Sequence, residues 1–388
     1  MVTNVPFQVG DPVTGENFAD RQEILAELSN NILSLKKGVR QDFALISPRR
    51  MGKSSILLML KEKIEKEFIC IYIDCSKLYP STLINFLQTY SKEIYLAYSK
   101  KLSWKVLPEK IINAVEGVAT ATLELIQKIG VEVEDIKVWL EFKEKKVNES
   151  ELMDKVLNLP EKLAKKHRLP CLIILDEFQD IVKFGTDFLK YLRSIATSHK
   201  LVDYIITGSA VSMMENIVND KKSPFYNLFI VKSLDMLPKK EAEIFLEKKF
   251  KGFSYGKDAI EEILNLTQCH PFYLQWLARA VFISTLLDKK FTKADVERVY
   301  NNSLNEPLGH FEYEIGKVKD KGRYMDILTI MAKHDVTTPS KIGKYLNIEA
   351  GEVAPYLKKL IEFGFIKKEK KSYDFGDKIL KEWIKRRY

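Results

Sequence analysis

The sequence of 388 residues predicts an α/β protein with a parallel sheet, followed by a small helical domain and a winged helix-turn-helix. Three observations lead to this prediction. Short apolar runs alternate with helical patterns early in the chain, which indicates a parallel sheet with crossover helices. The strand signal fades after Pro238, and the last part has the order helix, helix, helix and ribbon. We therefore expect three domains, at 1–237, 238–304 and 305–388.

The predicted sheet depends on four apolar runs, at 43–46, 68–73, 171–175 and 204–207. Runs that are apolar throughout are typical of strands buried on both faces. Helical spacing of apolar residues lies between them, at 82–98, 151–166 and 187–196. The segment 100–146 fits less well, since 108–129 has a helical pattern and 136–142 alternates like an edge strand. We interpret this segment as an insertion within the α/β domain.

The second half of the chain is predicted to be mainly helical. Helical periodicity recurs at 241–250, 257–267, 272–287 and 292–302, and Pro307 indicates a linker at 305–309. The winged helix-turn-helix is predicted from helices at 324–332, 340–346 and 352–363, followed by a lysine-rich ribbon at 365–375. Pro339 stands where proline is favoured, at the first position of the second of these helices.

Composition excludes several classes of protein. The chain is 46% hydrophobic and 30% charged, which is typical of a folded, water-soluble protein. Its longer apolar runs are far short of the ~20 residues that cross a membrane, and its first residues do not resemble a signal peptide. The four cysteines form no CxxC pair, so we expect reduced thiols and no structural zinc. A cytoplasmic protein without membrane contact is the prediction.

The positive charge is concentrated at the C-terminal end. The net charge is +9, and residues 331–388 hold fourteen Lys and Arg against eight Asp and Glu. A basic domain of this kind is a candidate surface for nucleic acid. The Lys- and Glu-rich surface typical of thermophilic proteins explains the same numbers. Charge alone leaves both interpretations open.

A phosphate-binding loop is predicted between the first strand and the next helix. The chain there reads Ser47, Pro48, Arg49, Arg50, Met51, Gly52, Lys53, Ser54, Ser55. Backbone N–H groups and the helix N-terminus would point at a polyphosphate. Lys53 would contact the β and γ oxygens, and the Ser54 hydroxyl would face Mg²⁺. The alternative is an ordinary strand–turn–helix with an exposed lysine.

One position departs from the usual pattern of this loop. Ser47 stands where the first glycine is common. Pro48 fixes its own φ and favours an extended conformation at Ser47. A rigid, extended start of the loop has no need of glycine, so the prediction of ATP binding is kept.

Acidic and hydroxyl residues follow two later strands. Asp176 and Glu177 end the run at 171–175, where open α/β sheets bind ligands. Asp176 would hold Mg²⁺, and Glu177 would polarise the water that attacks the γ-phosphate. The alternative is a helix N-cap pair. Ser209, after Thr207 and Gly208, is a candidate sensor of the γ-phosphate, or else a turn residue.

Together these segments resemble the archaeal ATPase family, which belongs to the STAND class of AAA+-related P-loop NTPases. The resemblance is carried by 48–55, by 175–179 (Leu-Asp-Glu-Phe-Gln), by 207–209 (Thr-Gly-Ser) and by 270–275 (His-Pro-Phe-Tyr-Leu-Gln), and it extends to 18–23. It implies a P-loop ATPase domain, a helical lid and a C-terminal winged helix. It also implies ATP and Mg²⁺ as cofactors, and we expect a homo-oligomer.

The resemblance assigns roles to individual residues. Lys53, Glu177 and Ser209 would be catalytic, Ser54 and Asp176 would bind the metal, and Arg21, His270 and residues 48–55 would contact nucleotide. Arg21 would lie beside the adenine, or is an exposed charge. His270 would belong to the lid motif, or is a capped core histidine. Arg49 and Arg50 would contact phosphate or a neighbouring subunit, or are solvated loop charges.

One family feature is missing. Members often carry Leu-Tyr-Gly-Arg after the sensor strand, where this chain has Phe225, Tyr226, Asn227 and Leu228. Because an arginine finger contributes ~10³–10⁵ in rate, we expect slow hydrolysis or a substitute such as Arg193 or a loop arginine.

Three functions remain open from the sequence. The first is a Mg²⁺-dependent ATPase that acts as a switch or motor in DNA metabolism. The second is a slowly hydrolysing regulatory switch whose tail recruits proteins. The third is a transcriptional regulator. The helix at 352–363 lacks Arg, Asn and Gln for base readout, so the ribbon lysines are the better candidates for DNA phosphate contacts.

Overall fold

The computed structural model describes residues 5–19, 21–102, 148–306 and 309–388. Within these residues, five parallel strands form one sheet in the order β2-β3-β4-β1-β5. The strands are β1 (Phe43–Ile46), β2 (Ile69–Asp74), β3 (Cys171–Asp176), β4 (Val202–Gly208) and β5 (Ile230–Ser233). The predicted α/β class with a parallel sheet is confirmed.

Helices cover both faces of this sheet. Successive strand residues point to opposite faces, so Ile173 belongs to one apolar cluster and Ile174 to the other. Residues of α3, α4 and α5 complete the first cluster, and residues of α1 and α2 complete the second. The helices are α1 (Gln22–Leu33), α2 (Lys53–Ile64), α3 (Leu83–Lys101), α4 (Glu149–His167), α5 (Thr186–Ser198) and α6 (Val211–Asn219).

The second half of the chain has one apolar core of its own. This core joins residues of nearly all its helices, for example Leu277, Ile327 and Trp383. It crosses the domain boundary predicted at 304/305, so the predicted lid and C-terminal domains pack together. The helices are α7 (Lys239–Lys249), α8 (Lys257–Thr267), α9 (Pro271–Ser284), α10 (Lys293–Asn305), α11 (Gly309–Gly316), α12 (Tyr324–His334), α13 (Pro339–Leu346), α14 (Ala350–Glu362) and α15 (Lys378–Arg387).

Several elements were not predicted. β5 is a largely exposed edge strand, so it lacks the continuous apolar run that predicted β1, and α6, α11 and α15 were also missed. Between Pro238 and the predicted ribbon, where the strand signal fades, two strands of two residues each were also missed: β6 (Ser254–Tyr255) pairs with β7 (Lys290–Phe291). The predicted ribbon is present as antiparallel β8 (Ile366–Glu369) and β9 (Ser372–Phe375). The patterns at 108–129 and 136–142, and Pro307, lie outside the described residues.

None of the helices in the described part of the chain combines the length and the apolarity that a bilayer crossing requires.

Two carboxylates are buried together at the end of the sheet opposite the acidic pair. Asp203 is fully buried and accepts a 3.3 Å hydrogen bond from the backbone of Gln41, while Asp42 accepts one of 2.8 Å from the backbone of Tyr204. Burial, together with the charge of Asp42, raises the pKa of Asp203 to about 8. Burial also raises the pKa of Asp42 to about 6, although Arg40 partly offsets this effect.

We expect Asp203→Asn to change how stability depends on pH. A carboxyl whose folded pKa is raised takes up a proton on folding, so its contribution to stability is lost as pH rises from about 4 to about 8. The variant should therefore gain at least about 1 kcal/mol over the parent between pH 5 and pH 8. Urea unfolding across this range measures the difference.

Asp187→Asn is the matched control, because the Asp187 side chain is fully exposed. A constant offset between Asp203→Asn and the parent at all pH values would show that Asp203 is ionised in the folded protein.

Candidate functional site

The strands β2 and β3 and the loop after β1 end at one cleft, a cavity of about 560 Å³. Its size is within the range of small-molecule sites. The cleft is bounded by the loop after β1, by the end of β3, by the N-terminal segment 8–19 and by the start of α9. The predicted site residues that line it are Arg21, Arg49, Arg50, Met51, Gly52, Lys53, Ser54, Ser55, Asp176 and Glu177.

The loop between β1 and α2 contains two left-handed residues just before the helix begins. Arg50 and Gly52 have φ values of 67° and 89°, and α2 begins at Lys53 with Gly52 as its N-cap. Glycine adopts this left-handed conformation without strain. Ser47 is not left-handed, which fits the prediction that no glycine is needed there. Met51 is buried under α2 and anchors the loop.

Lys53 lies inside the loop rather than in solvent. It is 5% exposed, and its Nζ donates hydrogen bonds to the carbonyls of Ser47 at 2.7 Å and Pro48 at 2.9 Å. The alternative of an exposed lysine is therefore wrong. Burial lowers the pKa of Lys53 to about 8, against the opposing effect of the Glu177 and Asp176 carboxylates. The Lys53 ammonium is thus a buried positive charge at the wall of the cleft.

Asp176 is where hydrogen bonds from several elements meet. One carboxylate oxygen, Oδ1, accepts from Thr207 of β4 and, at 3.0 Å, from the backbone N–H of Glu177. The other, Oδ2, accepts from the Tyr72 hydroxyl of β2 and from Ser54 Oγ at 3.3 Å. Asp176 is 4% exposed. These four donors satisfy a buried carboxylate that would otherwise be costly.

Glu177 is held in an unusual conformation by two side chains. Its φ of 51° is left-handed, which is strained for a residue with a Cβ. Its Oε2 accepts hydrogen bonds from Gln179 Nε2 at 2.5 Å and from Ser209 Oγ at 2.7 Å. Burial raises the pKa of Glu177, but these hydrogen bonds and Lys53 outweigh burial and leave the pKa below its usual value. The carboxylate is therefore ionised at neutral pH.

The three arginines of the cleft have different partners. Arg21 donates to the Asp235 carbonyl at 2.7 Å. Arg50 stacks on the Phe272 ring, 4.1 Å from its centroid. Arg49 donates to Ser209 Oγ at 3.3 Å and forms a 2.9 Å ion pair with Glu314 of α11. Each of these arginines has a partner within the protein, while Arg49 and Arg50 are also exposed to solvent, so their contact with phosphate or with a neighbouring subunit stays a prediction.

Three predicted residues do not line the cleft itself. Pro48, Ser209 and His270 border a second cavity of about 590 Å³ on the other side of the loop. His270 is 9% exposed, and its Nδ1 accepts a 3.2 Å hydrogen bond from the N–H of Phe272, so it caps α9. Burial lowers the pKa of His270 to about 3. The sequence left two interpretations of His270, a lid-motif residue or a capping histidine in the core, and this geometry is that of the capping histidine. A contact between His270 and nucleotide stays a prediction.

Sequence reasoning missed Tyr72 and gave Gln179 no role. Tyr72 is within an apolar strand, so only the strand order brings its hydroxyl to Asp176. Gln179 Oε1 and Met214 occupy the space that a Cβ on Gly208 would fill. The N-terminal segment is tied to α2 by a 3.0 Å hydrogen bond from the Val13 N–H to Ser55 Oγ. Local spacing gives no signal for any of these contacts.

The residues present fit a nucleotide with a divalent ion. Ser54 Oγ and Asp176 Oδ2 lie 3.3 Å apart and supply the hard oxygen ligands that Mg²⁺ prefers. Magnesium is usually held by one or two such groups together with substrate phosphates. The loop amides and Lys53 supply the complementary positive charge for those phosphates.

Comparison with known sequences gives one partial match. The chain matches no known family profile. An uncharacterised protein of Methanocaldococcus jannaschii, MJECL04, is 27% identical over 201 residues, which are 51% of this chain and 42% of that protein. The chain thus spans less than half the length of the curated relative it matches.

Two solved structures are similar over almost their whole length. The Walker-type ATPase PABY2304 of Pyrococcus abyssi has a TM-score of 0.67 at 19% identity, covering 95% of this chain and 96% of that one. The ORC2 protein of Aeropyrum pernix, solved with ADPNP and ADP, has a TM-score of 0.56 at 10% identity, covering 95% of each chain.

We expect Gly208→Ala to destabilise the site. The added methyl group would displace Gln179 or Met214, and overpacking of this kind costs about 1–3 kcal/mol. Urea unfolding measures the loss. Gly351→Ala, where a Cβ meets open space, is the control. If Gln179 is the obstruction, the double variant Gly208→Ala/Gln179→Ala should lose less than the sum of the two single variants.

At these identities the likeness establishes the fold and nothing finer: the chain has the fold of the Walker-type ATPase PABY2304, with the parallel sheet that its sequence predicts.

Proposed function

We propose that this protein binds ATP with Mg²⁺ and hydrolyses it, acting as a nucleotide-driven switch or motor. One observation carries the proposal. Lys53, Asp176 and Glu177 are far apart in sequence, yet they meet at one cleft beside a left-handed loop and a helix N-terminus. A turn with only a structural role does not require a buried cation near two carboxylates. A phosphoryl-transfer site uses the cation to bind phosphate and the carboxylates to bind the metal ion and to orient the water.

The loop supports the proposal of triphosphate binding. The N–H groups of residues 50–54 and the N-terminus of α2 would hold the β and γ phosphates. Lys53 would exchange two carbonyl partners for phosphate oxygens, which form stronger, charge-assisted hydrogen bonds. The apolar end of the cleft, with Val13, Phe18 and Leu237, would accommodate the base.

Ser54 and Asp176 would hold the magnesium ion. When bound, the ion neutralises charge on the phosphates. Asp176 keeps its orientation through Tyr72 and Thr207, whose hydroxyls already donate to it. Such supporting hydrogen bonds orient a metal ligand.

Glu177 is the proposed base for the attacking water. Its lowered pKa keeps it ionised, so it accepts a proton or a hydrogen bond at neutral pH. Gln179 and Ser209 fix its direction through Oε2 and leave Oε1 for water. Ser209 therefore acts here through Glu177, and its predicted contact with the γ-phosphate stays a prediction.

Two substitutions separate binding from hydrolysis. Lys53→Ala should weaken Mg·ATP binding by roughly 10- to 100-fold, since it removes charged hydrogen bonds. Glu177→Gln should bind ATP normally while turnover falls by about 10²–10⁴. Titration with a fluorescent ATP analogue and a phosphate-release assay measure the two effects. Asp187→Asn, on the exposed face of α5, is the control. Unchanged turnover in both variants would refute the site.

The same assays distinguish a motor or active switch from a slowly hydrolysing regulatory switch. A motor or active switch has turnover that a partner stimulates, whereas a regulatory switch binds ATP and hydrolyses it slowly. Assembly into a homo-oligomer and protein partners remain predictions that do not depend on the cleft.

We further propose that the ribbon β8–β9 binds DNA without sequence preference, as the wing of a winged helix. Lys368, Lys370 and Lys371 are exposed on the ribbon and its turn. The helix expected to enter the major groove, α14, instead lies against α6, and its Lys359 is paired with Glu362 at 2.5 Å. The ribbon is therefore the more accessible basic surface. Lysines suit phosphate contacts rather than base readout.

The triple change of Lys368, Lys370 and Lys371 to Gln should weaken duplex binding and reduce its salt dependence. If each lysine neutralises one phosphate, the slope of log K against log salt falls by about 2 to 3. Fluorescence anisotropy at several salt concentrations measures it. The matched control changes Lys221, Lys222 and Lys257, which are also exposed. Equal slopes in both triple variants would exclude the ribbon as the DNA site.

A further inference from the structure

The three arginines of the cleft differ in their partners, and one of them is connected to the proposed base, Glu177. Arg21 is tied to the Asp235 carbonyl, and Arg50 stacks on Phe272 of the lid helix α9. Arg49 reaches Ser209 Oγ at 3.3 Å, and Ser209 Oγ donates to Glu177 Oε2 at 2.7 Å. Arg49 is thus one hydroxyl away from Glu177.

Of the two substitutes for the missing arginine finger that the sequence suggested, Arg193 or a loop arginine, Arg193 lies elsewhere. The guanidinium of Arg193 donates to the Pro224 carbonyl, and Arg193 lines neither cavity. Among the described arginines that line the cleft, Arg49 is therefore the one placed beside the reacting groups.

Arg49 is also held by the C-terminal half of the chain. Its Nη1 forms a 2.9 Å ion pair with Glu314 of α11, and Glu314 in turn pairs with Lys317 at 2.5 Å. The neighbouring residue Tyr313 lines the nucleotide cleft. Burial lowers the pKa of Arg49, but Glu314 and Glu177 outweigh it and raise the pKa overall. The guanidinium therefore lies between one acid of the catalytic site and one acid of α11.

We propose that Arg49 is the transition-state arginine of this ATPase, acting in cis, and that Glu314 holds it back until a triphosphate competes for it. The proposal depends on the proposed function. A γ-phosphate offers a planar guanidinium two charge-assisted hydrogen bonds, which outcompete a partly exposed ion pair. Release from Glu314 then removes the ion pair that joins the loop to α11, so nucleotide state is linked to this contact with the C-terminal half.

The first test compares Arg49 variants in hydrolysis and binding. Arg49→Ala should lower turnover by about 10³ or more while the Kd for Mg·ATP changes by a small factor. Arg49→Lys should recover little, because an ammonium lacks the planar fork. Trapping of fluorescent ADP with aluminium fluoride should fall in parallel, and this readout works even when basal turnover is slow. Turnover and trapping close to the parent in Arg49→Ala would overturn the proposal.

A mixing experiment distinguishes cis from trans action. Lys53→Ala has an intact Arg49 but a disabled site, and Arg49→Ala has the reverse. Equal mixing should restore no activity if the arginine acts within its own chain. Recovered turnover in the mixture would show that a neighbouring chain supplies it.

Glu314→Gln tests the restraint. Loss of the ion pair should raise turnover roughly two- to fivefold, because a partly exposed ion pair favours the paired state of its two side chains by about that factor. Glu312→Gln is the matched control, because Glu312 lies on the same helix and pairs with Arg387 at 2.9 Å instead. Equal turnover in the two variants would refute the restraint while leaving the role of Arg49 intact.

The binding assay shows whether a negative result concerns the proposed ATPase function or only the roles of Arg49 and Glu314. If the parent and Lys53→Ala bind Mg·ATP equally poorly, the proposed function fails. If the parent binds and Lys53→Ala does not, any null result with Arg49 or Glu314 concerns this inference alone.

Discussion

The site depends on the buried carboxylate of Asp176 and on the hydrogen bonds that satisfy it. Donors reach it from β2 through Tyr72, from β4 through Thr207 and from the start of α2 through Ser54. A buried charge without such partners would destabilise the fold by several kcal/mol. The donors come from three separate elements, so the carboxylate is satisfied only when the strands are assembled in the observed order.

The strand order also determines what lies beside the proposed phosphate-binding loop. Because β4 is the neighbour of β3, Ser209 just after β4 lies next to Glu177 just after β3. Ser209 uses this position to hold Glu177 in its left-handed conformation. The strain at Glu177, on the order of 1 kcal/mol or more, is offset by hydrogen bonds that also orient its carboxylate. A relaxed residue here would point elsewhere.

The sequence predicted the residues that belong to local patterns and missed those that act through tertiary contacts. The loop around Gly52 and the pair Asp176–Glu177 follow buried strands, so spacing alone predicts them. The contact of Tyr72 with Asp176 depends on which strands are neighbours, and single-sequence periodicity does not encode this. The two-residue strand Ser254–Tyr255 is too short for any period, and the exposed edge strand β5 lacks the burial pattern that indicates strands.

The helix α9 connects the cleft to the C-terminal half of the chain. Its first turn places Phe272 in the cleft, and the next residue, Tyr273, donates a hydrogen bond to Asp377. Asp377 caps α15 by accepting from the N–H groups of Ile379 and Leu380. Helices move as rigid units within packed cores, since close packing resists local deformation. A displacement of α9 by a ligand at Phe272 would therefore be carried directly to α15, in parallel with the ion pair at α11.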